Sequence, residues 1–115
     1  MDLVRRLIFY KHYFSEFFEA QTDKTKSKID YVLFVLTHVE RISEKFLKHV
    51  EGTKGLYEIR VEVGSDIFRI FCCFDEGKIV VLFNGFQKKS QKTPTQEIEL
   101  AIKIMNEYKF FSQKN

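Results

Sequence analysis

The chain has 115 residues, 44% of them hydrophobic and 30% charged, with a formal net charge of +3. That length suits a single domain over residues 1–115 with one core and is too short for two, and the mix is that of a soluble globular protein rather than a disordered one. No apolar run approaches the roughly 20 residues of a membrane-spanning helix, and so small a net charge excludes a histone-like protein that binds acid everywhere.

The opening MDLVRRLIFYKHYF has two arginines, then a short apolar run with no small-residue cleavage site after it. Residues 3–11 therefore read as a first strand and not a signal peptide, and a cytoplasmic location is expected. Phe14, Phe17 and Phe18 are spaced for a short helix ending near Gln21 and Thr22. Asp23 or Thr25 is expected to cap a second helix running to about Ile42. In it Ile29, Val32, Leu33, Leu36 and Val39 repeat with the helical period. The segment SEKFLKHVEGTKG reads as a connector that tucks Phe46 and Leu47 into the core.

From Leu56 the period changes to two. Tyr57, Ile59, Val61 and Val63 alternate with Glu58, Arg60 and Glu62, which predicts a half-buried strand. Gly64-Ser65 suits a two-residue hairpin turn, Ile67 to Phe74 a second strand, and Glu76-Gly77 a second tight turn. Ile79 to Phe83 is apolar without alternation, as in a central strand covered on both faces. Thr93 suits a helix N-cap, Pro94 the first helical position and Gln96 the end of a capping box. Ile98, Ala101, Ile102, Met105 and Tyr108 then form the apolar stripe of a last helix. The expected order is β-α-α-β-β-β-α, an α+β domain whose antiparallel meander is joined by the first strand.

Cys72 and Cys73 are adjacent, so in a strand they point to opposite faces and cannot easily pair. They read as small buried hydrophobes. His12, His38 and His49 lie on separate elements without ligand spacing, and no Gly-rich phosphate loop precedes a helix. Neither a metal nor another cofactor is expected.

Hairpin geometry locates the charges. A turn at Gly64-Ser65 puts Val63 opposite Asp66 and Arg60 opposite Arg69, and a turn one residue later still leaves both arginines on one face. Carried across a two-residue second turn, Asp75 faces Lys78 and Arg69 faces Asn84. Asn84, Phe86 and Lys88 then share the arginine face, with Lys89, Gln91 and Lys92 at its rim. Like charges opposite each other need a counter-ion. Two readings stay open: Glu58, Glu62 or a helix carboxylate neutralises the arginines, or the face holds an anion. Phosphate is the natural anion, because guanidinium binds it at two points.

The stretches KHVEGTKGLYEIRVEVGSDIFRIFCCF and KIVVLFNGFQKKSQKTPTQEIELAIKIMNEY resemble the RelE/HigB (RelE/ParE) superfamily of bacterial type II toxins, nearest to its phage-derived, HigB-like branch. The motifs are G-L-[YW]-E-[LI]-R, [YF]-R-[IV], and H/N-G-F-x-K-K-[ST]-x-K-T-P followed by a helix. The resemblance covers essentially the whole chain and is strongest over residues 48–108.

It implies a RelE-like fold and a ribosome-dependent mRNA endonuclease that inhibits translation from the 70S A site. It also implies a helix-turn-helix antitoxin of the HigA kind. The implied reaction is a metal-free attack of a ribose 2′-OH on the neighbouring phosphate, with Arg and Lys in place of a His pair. By that resemblance Arg60, Arg69, Lys88 and Lys89 form the catalytic set, with Arg60 a phosphate binder or base. Asn84, Phe86, Gln91 and Lys92 contact RNA, with Phe86 stacking on a base. One departure stands out: such toxins often end on an aromatic residue near the site, whereas Tyr108 fits the apolar stripe of the last helix. The alternatives are a ParE-like toxin that poisons gyrase by protein contact and an inactive phage-derived relative.

Overall fold

The computed structural model describes residues 3–89 and 94–113. Gln91, Lys92 and the expected cap Thr93 lie outside the described residues. The elements are β1 (Arg6–Phe9), α1 (Tyr13–Glu19), α2 (Asp23–His38), β2 (Leu47–His49), β3 (Tyr57–Val63), β4 (Asp66–Asp75), β5 (Ile79–Lys88) and α3 (Thr95–Ser112). The strands form one sheet in the order β1-β5-β4-β3-β2, with β1 parallel to β5 and the other pairs antiparallel. The α+β class, the β3–β4–β5 meander and the joining of β1 match the sequence reading. The order gains one strand, because the expected connector contains β2.

Both ends of α2 have an identifiable cause. Thr22, and not Asp23 or Thr25, caps α2: its backbone is extended and its hydroxyl oxygen accepts from the Thr25 N–H at 3.2 Å. At the other end α2 stops at His38, short of Ile42. The Arg5 guanidinium donates to the carbonyls of Leu36, Val39 and Glu40 at 3.1, 2.8 and 2.7 Å, and the Val4 N–H donates to the Thr37 carbonyl. These donors take up carbonyls that a helix end leaves open. Val39 is consequently extended and 42% exposed instead of joining the buried stripe. Helix α3 begins one residue later than expected, with Pro94 at the N-cap.

Two apolar layers sandwich the sheet. Phe14 of α1 and Ile29, Val32 and Leu36 of α2 pack on Ile59, Val61, Ile70 and Leu82. On the other face Ala101, Ile104 and Met105 of α3 pack on Phe71, Cys73, Val81 and Phe83. Cys72 and Cys73 divide between the layers as strand alternation requires. Burial pushes both thiols up, Cys73 to about 11, so neither is a ready nucleophile. No helix among the described residues is long and apolar enough to cross a membrane.

The β3–β4 turn is the expected Gly64-Ser65 pair, with Val63 opposite Asp66 and Arg60 opposite Arg69. The β4–β5 connection departs from expectation twice. Its turn has three residues, so Asp75 faces Ile79 rather than Lys78. A bulge then inserts one more residue into β5: Cys72 pairs with Leu82, but Ile70 pairs with Gly85. Each departure alone would swap the faces of β5, and together they restore them. Arg69 therefore faces Phe86, not Asn84, while Phe86 and Lys88 remain on the arginine side.

Gly85 occupies the opposite face, against α1. A Cβ there would lie 2.7 Å from Phe17 Cδ2. Gly85→Ala is expected to force the Phe17 ring aside and lower stability by about 1–3 kcal/mol, read as a lower midpoint in urea unfolding.

Candidate functional site

On the face that carries α3, the helix lies over β4 and β5. Beyond it the strand registers set out three cross-strand rows on that side: Lys48, Glu58 and Phe71; Arg60, Arg69 and Phe86; Glu62, Ile67 and Lys88. Four cations thus share the face with two carboxylates, and the balance is positive.

Both carboxylates make the neutralising contacts that the sequence left open. Glu58 Oε1 lies 3.6 Å from Arg69 Nη1, each side chain only 12% exposed. Glu62 Oε1 lies 3.5 Å from Arg60 Nη2, with the carboxylate 47% exposed and therefore screened by water. The pairing is incomplete. Glu58 Oε2, Arg60 Nε and Arg69 Nε are buried without a hydrogen-bond partner among the described residues. Buried charged groups are normally satisfied, so these three atoms are open to a further hydrogen-bonding partner.

Lys88, at the end of β5, is half-buried in this field. Burial first, then the charges of Arg69, Arg60 and Lys48, push its ammonium below the ordinary lysine range, against the pull of Glu58. Phe86 faces Arg69 and stacks on Phe71 with ring centroids 5.7 Å apart. A guanidinium pair, a depressed lysine and an aromatic face form an arrangement suited to a phosphodiester and its base.

The other sequence candidates fall elsewhere. Asn84 lies in the bulge, where it and Phe83 together stand opposite Phe71, and is 6% exposed. Its Nδ2 donates to the carbonyl and to Oε1 of Glu97, at 3.4 and 3.3 Å, which ties β5 to the start of α3. Lys89 follows the last residue of β5, is exposed and has no place in the ladder. His49, which the sequence does not mark as a ligand, pairs with Tyr57, whose side chain packs in the α1–α2 layer, so it belongs to the other face. Tyr108 donates to Asp75, six residues along β4 from Arg69 or roughly 20 Å at strand rise. Burial and then Asp75 push its hydroxyl up. Beside it Tyr10 and Lys11 both donate to Glu107, so this end of α3 is a fastening.

Lys48 is the site residue that the sequence reading missed, because three residues are too few to show a period. The signal was the loop after it: Gly52 and Gly55, both at positive φ, bracket a hairpin connection between β2 and β3. Among the described residues no three of His, Cys, Asp or Glu cluster so as to hold a metal ion.

A family described as phage-derived protein Gp49-like (DUF891) matches residues 16–106. Among solved structures, the chain is similar to one in the crystal structure of the archaeal RelE–RelB complex from Pyrococcus horikoshii OT3. The TM-score is 0.56 at 15% identity, covering 77% of this chain and 99% of that one. At that identity the likeness is one of fold. No curated protein matches the sequence.

The position of Lys88 can be tested directly. In Arg69→Ala its ammonium loses the strongest repelling charge and gains water, so its pKa is expected to rise toward the free lysine value, followed by NMR of the lysine side-chain nitrogens.

Proposed function

The chain belongs to the Gp49-like phage-derived family, a family of RelE-type toxins, and on that premise we propose that it is the toxin of a type II toxin–antitoxin pair and cleaves messenger RNA on the ribosome. The observation that carries this reading is the row Arg60–Arg69–Phe86 with Lys88 beside it, on sheet surface beyond α3.

In this reading the 2′-hydroxyl of one nucleotide gives its proton to water, its oxygen attacks the adjacent phosphorus and the bond to the 5′-oxygen breaks, which leaves a 2′,3′-cyclic phosphate and a 5′-hydroxyl. Negative charge grows on the non-bridging oxygens, where Arg69 and Arg60 supply fixed donors. Lys88, with its ammonium held below the ordinary lysine range, gives a proton to the leaving oxygen more readily than a free lysine. Phe86 offers an aromatic face to a displaced base. Asn84 acts indirectly, by holding β5 to α3. Lys89 lies exposed beyond β5, and it and residues Gln91 and Lys92 are assigned to the RNA or ribosomal backbone. The reading places the toxin in the cytoplasm, at the ribosomal A site, under the control of a helix-turn-helix antitoxin. The likeness to a chain of the RelE–RelB complex supports an antitoxin partner without specifying its kind.

Induced expression with mapping of message 5′ ends is the deciding experiment. The wild type is expected to produce new in-frame cuts in translated messages. Arg69→Ala is expected to reduce cleavage by roughly 10²–10³-fold and to abolish growth arrest, with fold and antitoxin binding retained. Full toxicity in Arg69→Ala, with intact messages and damaged DNA, would establish the gyrase-directed alternative instead.

A further inference from the structure

We propose that Glu58 is an internal stand-in for the phosphate: its carboxylate occupies the anion seat on Arg69, and an RNA phosphodiester enters by displacing it. The anion seat stands on geometry alone, while the identity of the displacing ligand rests on the function proposed above.

The first observation is placement. Glu58 sits in β3 between Lys48 and Phe71 across the sheet, two residues from Arg60 and diagonal to Arg69. It is the enclosed carboxylate of the cationic face, because Glu62 is 47% exposed and reaches only Arg60. Without an anion here, Arg60 and Arg69 would face each other directly with Lys48 and Lys88 nearby, an unfavourable arrangement in a sheet. A negative group here offsets that repulsion in the protein without its ligand.

The second observation is how poorly the pair fits. Arginine and carboxylate bind best through two parallel hydrogen bonds. Here a single contact of 3.6 Å joins them, beyond hydrogen-bond length, though both side chains are 12% exposed. Among the described residues, Oε2 of Glu58 and the Nε donors of both arginines are left without partners. The Glu58 carboxylate hydrogen-bonds neither Nε group. A phosphate presents several oxygens in a tetrahedral arrangement and can take both. The seat is occupied strongly enough to balance charge and weakly enough to exchange, and a ligand with one oxygen to offer gains little by entering.

The exchange can be observed in the full chain, with 15N at the arginine Nε positions and 13C at the glutamate carboxyls. Inorganic phosphate is titrated first, then a short single-stranded RNA made uncleavable by 2′-deoxy substitution. In the wild type the Arg60 and Arg69 Nε signals and the Glu58 carboxyl signal are expected to move together with one midpoint. Glu58→Gln is expected to lower that midpoint at least tenfold and Arg69→Ala to remove the response. Arginine signals that move while the Glu58 signal stays fixed would overturn the proposal, as would equal midpoints for the wild type and Glu58→Gln. Should Glu58→Gln fail to fold, the wild-type titration decides by itself. A response to phosphate but not to RNA would keep the anion seat and overturn its assignment to a phosphodiester. Message cleavage on ribosomes is read separately, so loss of the toxin reading is distinguishable from loss of this one.

Discussion

Side chains along a strand alternate between faces, so a single extra residue decides what β5 presents to each layer. The bulge supplies that residue, and three successive positions hold it in place through different neighbours. Phe83 is buried beneath α3, Asn84 hydrogen-bonds Glu97 on α3, and Gly85 admits the Phe17 ring of α1 on the opposite side. The sheet is therefore clamped between α1 and α3 at the irregularity itself. Everything farther along β5 takes its direction from this clamp, including Phe86 beside Arg69 and Lys88 in the next row. Bulges next to binding surfaces commonly re-aim side chains in this manner.

The cationic face is then a local conflict that the rest of the fold sustains. Two arginines directly across a ladder repel, and a lysine held in their field is harder to charge. Apolar side chains in these positions would serve a sheet better, since buried ion pairs are seldom more stabilising than hydrophobic replacements. The two apolar layers carry the fold without help from this region: no residue of the Arg60–Arg69 row except Phe86 belongs to either one. Stability and charge chemistry are segregated onto different parts of the same strands.

That segregation also governs what could be read from the sequence. Where one face is buried the alternation is strong, so β3, β4 and their Gly64-Ser65 turn were legible, and with them the Arg60–Arg69 pair. Ion pairing by Glu58 and Glu62 was legible only as one of two possibilities, because register brings charges near without fixing which atoms meet. The route from Arg69 to Phe86 was misjudged in detail. Glu76 takes a positive φ, unusual for that residue, and opens the turn to three residues, while the bulge rests on a contact between Asn84 and Glu97 that no local pattern announces. Two missed insertions cancelled in parity, and the predicted face survived. The end of α2 and the edge strand β2 depended on distant partners, Arg5 for the first and β3 for the second. Lys48 entered the site only with β2.

The attachment of β1 bears on how this chain emerges from its own synthesis. Arg6 pairs with Ile79 and Phe9 with Leu82, while Arg5 grips the end of α2. Strand β1 thus waits for β5 before it has a neighbour in the sheet. Contacts so far apart in the chain close late, and domains complete themselves only as their C-terminal parts leave the ribosome. The bulged strand that β1 awaits also carries Phe86 and Lys88. A nascent chain lacking β5 therefore has neither a closed sheet nor a complete cationic face. For a protein whose proposed target is the machine that makes it, competence is deferred by topology until β5 has been made.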